Sequence, residues 1–190
     1  IDRNSALEPL TKTAKQLIIS KIMRQNKSRL KVFAAMVNEP GMAAKMAAMI
    51  SELYQYGKSG ADLRDVIERT KTEAAAARQT LDKLADISLI YEEYIKFITG
   101  RFENPDAQLE RVKKQIAQSD VFKGCRLWVD GFSGFTPVEY DVLTELLKVC
   151  GEAEIALSMP CETQDRCDLF LPVLETKGRL DEIIAKNNLP

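Results

Sequence analysis

The stretch Leu127-Trp128-Val129-Asp130-Gly131-Phe132-Ser133-Gly134-Phe135-Thr136-Pro137 marks a change of pattern along the chain. The run Cys125–Asp130 is short, apolar and closed by Gly131, which predicts a strand. Pro137 to Val149 follows with helical spacing, with Val138, Val142, Leu143, Leu146 and Leu147 on its inward side. Gly151 ends that helix, and Ala153–Met159 reads as a second strand. Strand, helix and strand with short connections form a βαβ unit, so the two strands should be parallel and joined right-handedly. Two parallel strands bury themselves poorly, so further strands are expected from outside this chain. A last helix is expected over Leu174–Lys186, with Leu180, Ile183 and Ile184 facing in.

Everything before this stretch reads as helix. Thr11 or Thr13 is placed to cap a segment running to about Arg24, with Ala14, Leu17, Ile18 and Met23 near one face. Leu30, Phe33, Ala34 and Val37 continue an apolar stripe until Pro40-Gly41 breaks it. Met42, Met46, Met49, Ile50, Leu53 and Tyr54 repeat at helical spacing up to Gly57. Their shared stripe predicts core packing for these methionines. Ser59-Gly60-Ala61-Asp62 starts a short helix with Leu63, Val66 and Ile67 inward. The longest helix is expected over Thr72–Thr99, striped by Leu81, Leu84, Ile87, Tyr91, Tyr94 or Ile95, and Ile98. Gly100 stops it, and Asn104-Pro105 opens another helix with Leu109, Val112 and Ile116. The expected fold class is mostly α with a small α/β part.

Composition bounds what such a chain can do. With 190 residues, 45% of them apolar and 29% charged, it falls in the ordinary range of globular proteins. No apolar stretch approaches the roughly 20 residues that span a bilayer, and no signal-like segment opens the chain, so the expected location is cytoplasmic, with no membrane partner. There is no His, which removes the commonest general base and metal ligand. The cysteines at 125, 150, 161 and 167 fit neither a zinc knuckle nor a dense disulfide framework, so reduced thiols are expected. Net charge is −1, but residues 1–37 carry eight Lys or Arg against two acidic residues, whereas residues 120–190 carry seven against thirteen. A basic helical end of this kind suits phosphate, although solvated lysines on an exposed helix give the same count.

An Asp at the carboxyl end of a parallel strand stands where open α/β sheets bind ligands. In nucleotide-hydrolysing folds such an Asp orients water on a phosphate-bound Mg²⁺, and an acidic neighbour commonly activates the attacking water. Here Asp130 is followed by Gly131, which activates nothing, and no GxxxxGK[ST] loop occurs in the sequence. By residue types alone, Asp130-Gly131 reads as a degenerate motif II, or Walker B-like, site. The competing reading is that Asp130 simply caps the turn. No catalytic and no metal-binding residue is expected, and the absence of His, phosphate loop and GxSxG leaves an independent hydrolase little support.

The run WVDGFSGFTPVEYDVLTELL resembles the VDGF-x-x-FTPxE signature of the AddB/RexB family. Upstream, Leu30–Phe33, Glu52–Tyr56 and Lys83–Tyr91 resemble that family's helical segment. Downstream, Cys167-Asp168-Leu169-Phe170 with Glu175-Thr176 resembles a helix lead-in. Members resemble superfamily 1 helicases whose motor has decayed, followed by a RecB-like nuclease domain. They pair with an AddA-type helicase–nuclease subunit, act on DNA double-strand breaks for recombinational repair, and respond to a hotspot sequence called Chi. The resemblance implies a helical insertion (1B-like) subdomain over residues 1–118. Over residues 119–190 it implies a partial RecA-like (1A-like) segment with two parallel strands and flanking helices. It also implies a phosphate loop before this chain and nuclease carboxylates beyond it; the missing initiator Met and the Asn188-Leu189-Pro190 end are expected not to be natural domain termini. ATP and Mg would belong to the parent complex, with no cofactor in this segment. Phe132 matches an aromatic position near the family's single-strand channel and is the nucleic-acid-binding candidate; Trp128 and Phe135 are expected in the core. The family's cluster-binding cysteines are not matched here. Two functions follow: a non-catalytic scaffold that guides a DNA strand, or a helical protein–protein module without nucleic-acid contact.

Overall fold

The computed structural model describes residues 7–70, 78–159, 170–187 and 189. Cys161, Cys167, the Cys167–Leu169 part of the expected helix lead-in and residues 72–77 of the expected long helix lie outside them. Most described residues are helical, with two small parallel sheets. The chain forms two compact units, residues 1–108 and 109–190.

The first unit begins with strand β1 (Glu8–Pro9) and helix α1 (Lys12–Gln25). Thr11 caps α1, its hydroxyl accepting from the Ala14 N–H at 3.2 Å. Ile19, Ile22 and Met23 are buried, whereas Leu17 is 67% exposed. The buried face is rotated from the expected stripe, because the buried Lys15 occupies the inward side. Two 3-10 turns, Lys27–Arg29 and Phe33–Met36, replace the second expected stripe, yet still bury Leu30 and Val37. Gly41, with φ +78°, leads into helix α2 (Met42–Gln55), which buries Met46, Ala47 and Ile50. Helix α3 (Gly60–Thr70) buries Leu63 and Ile67 but leaves Val66 exposed. Ser59 and Asp62 cap it reciprocally, and the Ser59 hydroxyl and N–H, both donating to the Asp62 carboxylate, hold that carboxyl below its usual range.

Helix α4 (Arg78–Ile98) is the centre of this unit, and α1, α2 and α3 all pack on it. Ile87, Ile90, Tyr91, Tyr94 and Ile98 form its buried stripe. Strand β2 (Phe102–Glu103) returns to pair with β1 in parallel, Glu8 opposite Phe102. Neither short strand follows from periodicity, since two residues carry none.

Three buried polar groups organise this apolar core. Asp86 is 2% exposed, and its carboxylate accepts from three consecutive backbone N–H groups, those of Lys31, Val32 and Phe33, at 2.8 to 3.1 Å. Lys15, 4% exposed, donates to Asp106 at 2.5 Å and Ser51 at 2.6 Å, tying α1 to α2 and to the turn at Pro105–Ala107. Tyr94 is fully buried, and its hydroxyl has no hydrogen-bond partner among the described residues; burial pushes its ionisation far above the usual phenol range.

The second unit contains helix α5 (Gln108–Ile116) from its second residue on, strand β3 (Arg126–Val129), helix α6 (Pro137–Val149), strand β4 (Glu152–Ile155) and helix α7 (Leu171–Asn187). β3 and β4 are parallel, Arg126 opposite Glu152 and Val129 opposite Ile155, as the βαβ pattern requires. Its core is Tyr140, Leu143, Leu147 and Leu180, with Leu127, Val129, Phe135, Ile155 and Leu157 packed against them. Lys113 of α5 is held to Asp141 of α6 at 2.8 Å, which raises the Lys113 pKa.

Two substitutions test the buried polar groups. Asp86→Ala strands three N–H groups in the interior and should lower unfolding free energy by about 3 kcal/mol. Tyr94→Phe removes a hydroxyl that bonds to nothing and should leave stability unchanged or raise it by up to about 1 kcal/mol. Urea denaturation followed by circular dichroism measures both.

Candidate functional site

Alternation along β3 sends Leu127 and Val129 towards the helices and Arg126 and Trp128 to the other face. Trp128 is therefore 62% exposed and not part of the core; the Arg126 guanidinium lies over its ring at 5.5 Å and pairs with Glu152 across the strands. An aromatic beside two apolar residues reads as buried in sequence, but among the described residues only one face of this sheet meets helices. Phe135, by contrast, is half-buried and packs into the core.

Asp130 follows the last residue of β3, so its carboxylate stands at the carboxyl tip of the strand, exposed. Its Oδ1 accepts from the Gly131 N–H at 2.7 Å. Gly131 turns the chain with φ +80°, a conformation that costs an L side chain about 1–2 kcal/mol. The acidic partner is thus missing from a position whose backbone disfavours any side chain.

Phe132 is 47% exposed and stacks on Phe135, centroids 5.1 Å apart and planes at 24°. Phe135 in turn meets the edge of Tyr140 at 5.3 Å, and the Arg179 guanidinium lies 4.6 Å over Tyr140. The exposed ring is the end of a line of packed groups running into the core, so its orientation is set from behind. The turn itself is held from α7: the Thr176 hydroxyl, on a residue 4% exposed, lies 3.1 Å from the Ser133 carbonyl and 2.8 Å from that of Pro172. Thr136 then starts α6 with a capping box, its N–H donating to Glu139 at 2.7 Å, and Pro137 occupies the first turn. Sequence reasoning does not single out Tyr140, Thr176 or Arg179 as site residues. For Thr176 a signal exists: it falls at helical spacing with Val173 and Leu180, where an apolar residue is the rule.

This arrangement can present a carboxylate and an aromatic face on a rigid turn. Among the described residues, no group of three or more His, Cys, Asp or Glu is placed to hold a metal ion, and no helix is long and apolar enough to cross a membrane.

A helical unit followed by a parallel βαβ unit, with an Asp-Gly-Phe turn at the strand tip, makes this a mixed chain whose marked feature is that turn. The family model described as "ADDB, N-terminal" matches residues 4–190, and the chain belongs to that family. It is 35% identical over 166 residues to the ATP-dependent helicase/deoxyribonuclease B subunit of Desulforamulus reducens, covering 85% of this chain and 14% of that protein. The protein of the same description from Clostridium acetobutylicum is 32% identical over 97% of this chain and 16% of its own length. A third, from Symbiobacterium thermophilum, is 29% identical over 97% of this chain and 16% of its own length. The chain thus spans about a sixth or less of these relatives.

Gly131→Glu would recreate the acidic pair in sequence. Because nothing crowds the position, the cost is that of the backbone alone; the variant should lose about 1–2 kcal/mol of stability, read as a lowered Tm in a thermal melt.

Proposed function

We propose that this chain is a non-catalytic, strand-guiding part of the B subunit of an ATP-dependent helicase/deoxyribonuclease. The relatives' names supply the complex; a B subunit implies a partner, here an AddA-type helicase–nuclease subunit, with DNA as the shared substrate. In this reading residues 1–118 are a helical insertion (1B-like) subdomain and residues 119–190 a partial RecA-like (1A-like) segment. ATP and Mg serve the parent complex, which processes double-strand breaks for recombinational repair in the cytoplasm.

The observation that carries the reading is the turn at the tip of β3. Asp130 stands exposed at the strand tip, Gly131 follows it with a positive φ, and Phe132 offers an exposed ring backed by Phe135; in this reading Asp130 and Gly131 are a degenerate motif II. A carboxylate without a base supports loss of hydrolysis. A pre-oriented ring supports stacking on an unpaired base, worth about 1–3 kcal/mol. The alternative, a helical protein–protein module, draws only on the apolar stripes, and those are largely consumed in the first unit's core.

Phe132→Ala in the assembled complex should weaken single-stranded DNA binding roughly tenfold and reduce the response to the hotspot, with the circular dichroism spectrum unchanged. Binding measured at two salt concentrations separates the readings, because phosphate contacts weaken steeply with salt. Unchanged affinity and hotspot response in the variant would leave the protein–protein reading standing.

A further inference from the structure

At the end of the βαβ unit away from Asp130, two cysteines lie on hydrogen-bonded neighbouring backbones. Cys125 directly precedes β3, and Cys150 is the C-cap residue of α6, between Val149 and Gly151. The Gly124 N–H donates to the Val149 carbonyl at 3.0 Å, and the Gly151 N–H donates to the Cys125 carbonyl at 2.8 Å. These two bonds bracket Cys150 against Cys125. They hold the two backbones at the spacing of neighbouring strands, about 4.8 Å, inside the Cα separation that a disulfide spans. The approach is close enough that a side chain added at Gly151 would meet the Gly124 backbone at 3.2–3.4 Å. Both cysteines are free and partly exposed, so small reagents reach them. Burial, and after it Cys125, raise the Cys150 thiol above its ordinary range.

We propose that Cys125 and Cys150 are a thiol-modification site, joining in a reversible disulfide that clamps the start of β3 to the end of α6. The co-reactant is a low-molecular-weight disulfide of the glutathione class. The Cys125 thiolate attacks one of its sulfurs, forming a mixed disulfide and releasing one small thiolate. The Cys150 thiolate then attacks the Cys125 sulfur, the protein disulfide forms, and the second small thiolate leaves. Two protons and two electrons pass from the protein thiols to the two small thiols, and excess reductant reverses the step. Burial of Cys150 favours Cys125 as the first nucleophile. The clamp closes a loop that contains the whole Asp130–Thr136 turn, so oxidation should stiffen the element that presents Phe132.

The test uses the intact polypeptide that carries this chain, treated with oxidised glutathione, blocked with an alkylating agent, and digested with trypsin. Mass spectrometry should find the peptide Gly124–Arg126 linked to Val149–Arg166, with fragment ions placing the bond on Cys150. The linked species should persist in Cys161→Ser and vanish in Cys150→Ser. The segment that carries the two cysteines should unfold at a higher temperature when oxidised than when reduced, with the shift reversed by dithiothreitol and absent in Cys125→Ser. Linkage of Cys125 to Cys161 or Cys167, a stable glutathione adduct on Cys125 alone, unreacted thiols, or a melting shift that survives in Cys125→Ser would each overturn the proposal.

Discussion

A carboxylate removed from water must find hydrogen-bond donors, and that of Asp86 finds three in a row on the backbone of Lys31, Val32 and Phe33. The constraint is mutual. The bend between α1 and α2 has N–H groups that no helix or sheet satisfies, and the middle of α4 supplies the acceptor for them. Fixing that bend sets where α1 leaves and α2 enters, and so where Ile19, Met23, Met46 and Ile50 meet Ile90 and Tyr94. Lys15, held by Asp106 and Ser51, does the same at the other end of α1. The helices are filled with apolar contacts, but their positions are specified by these few charged ones.

Among its described residues the second unit buries no charged side chain and is built differently. Among the described residues its sheet is two strands wide and meets helices on one face, and Arg126, Trp128, Glu152 and Glu154 are exposed on the other. What is ordered with most redundancy is the turn after β3. Its backbone is held by Thr176, its exit by the Thr136–Glu139 capping box, and its exposed ring by the Phe135–Tyr140 contact. Such convergence on a short surface turn is more than chain reversal needs, and it accords with a turn that meets something outside the chain.

Long, strongly striped elements are legible from sequence. α2, α4 and α6 fall where apolar spacing and the Gly or Pro boundaries put them, because a helix of three or more turns repeats its pattern often enough to be read. Lys15 shows where this fails. A buried charge interrupts the apolar arc of α1, so apolar spacing alone runs through Leu17, on the solvent side. Trp128 departs from expectation for a different reason: alternation gives the two faces of a strand but not which face is covered. The turn residues 130–132 are identifiable by type and order, whereas the groups that support the turn from α7, Thr176 at Ser133 and Arg179 over Tyr140, come from about forty residues away and need the tertiary structure.

Trp128 is the one tryptophan of the chain, and it lies two residues before Asp130 on the open face of β3. Its emission therefore reports one known position without labelling. A water-exposed indole with a guanidinium above it should emit to the red and be readily quenched by iodide. Anything that settles over that face of the sheet would shift the spectrum to the blue and shield the quencher, giving a direct optical readout of contact beside the candidate site.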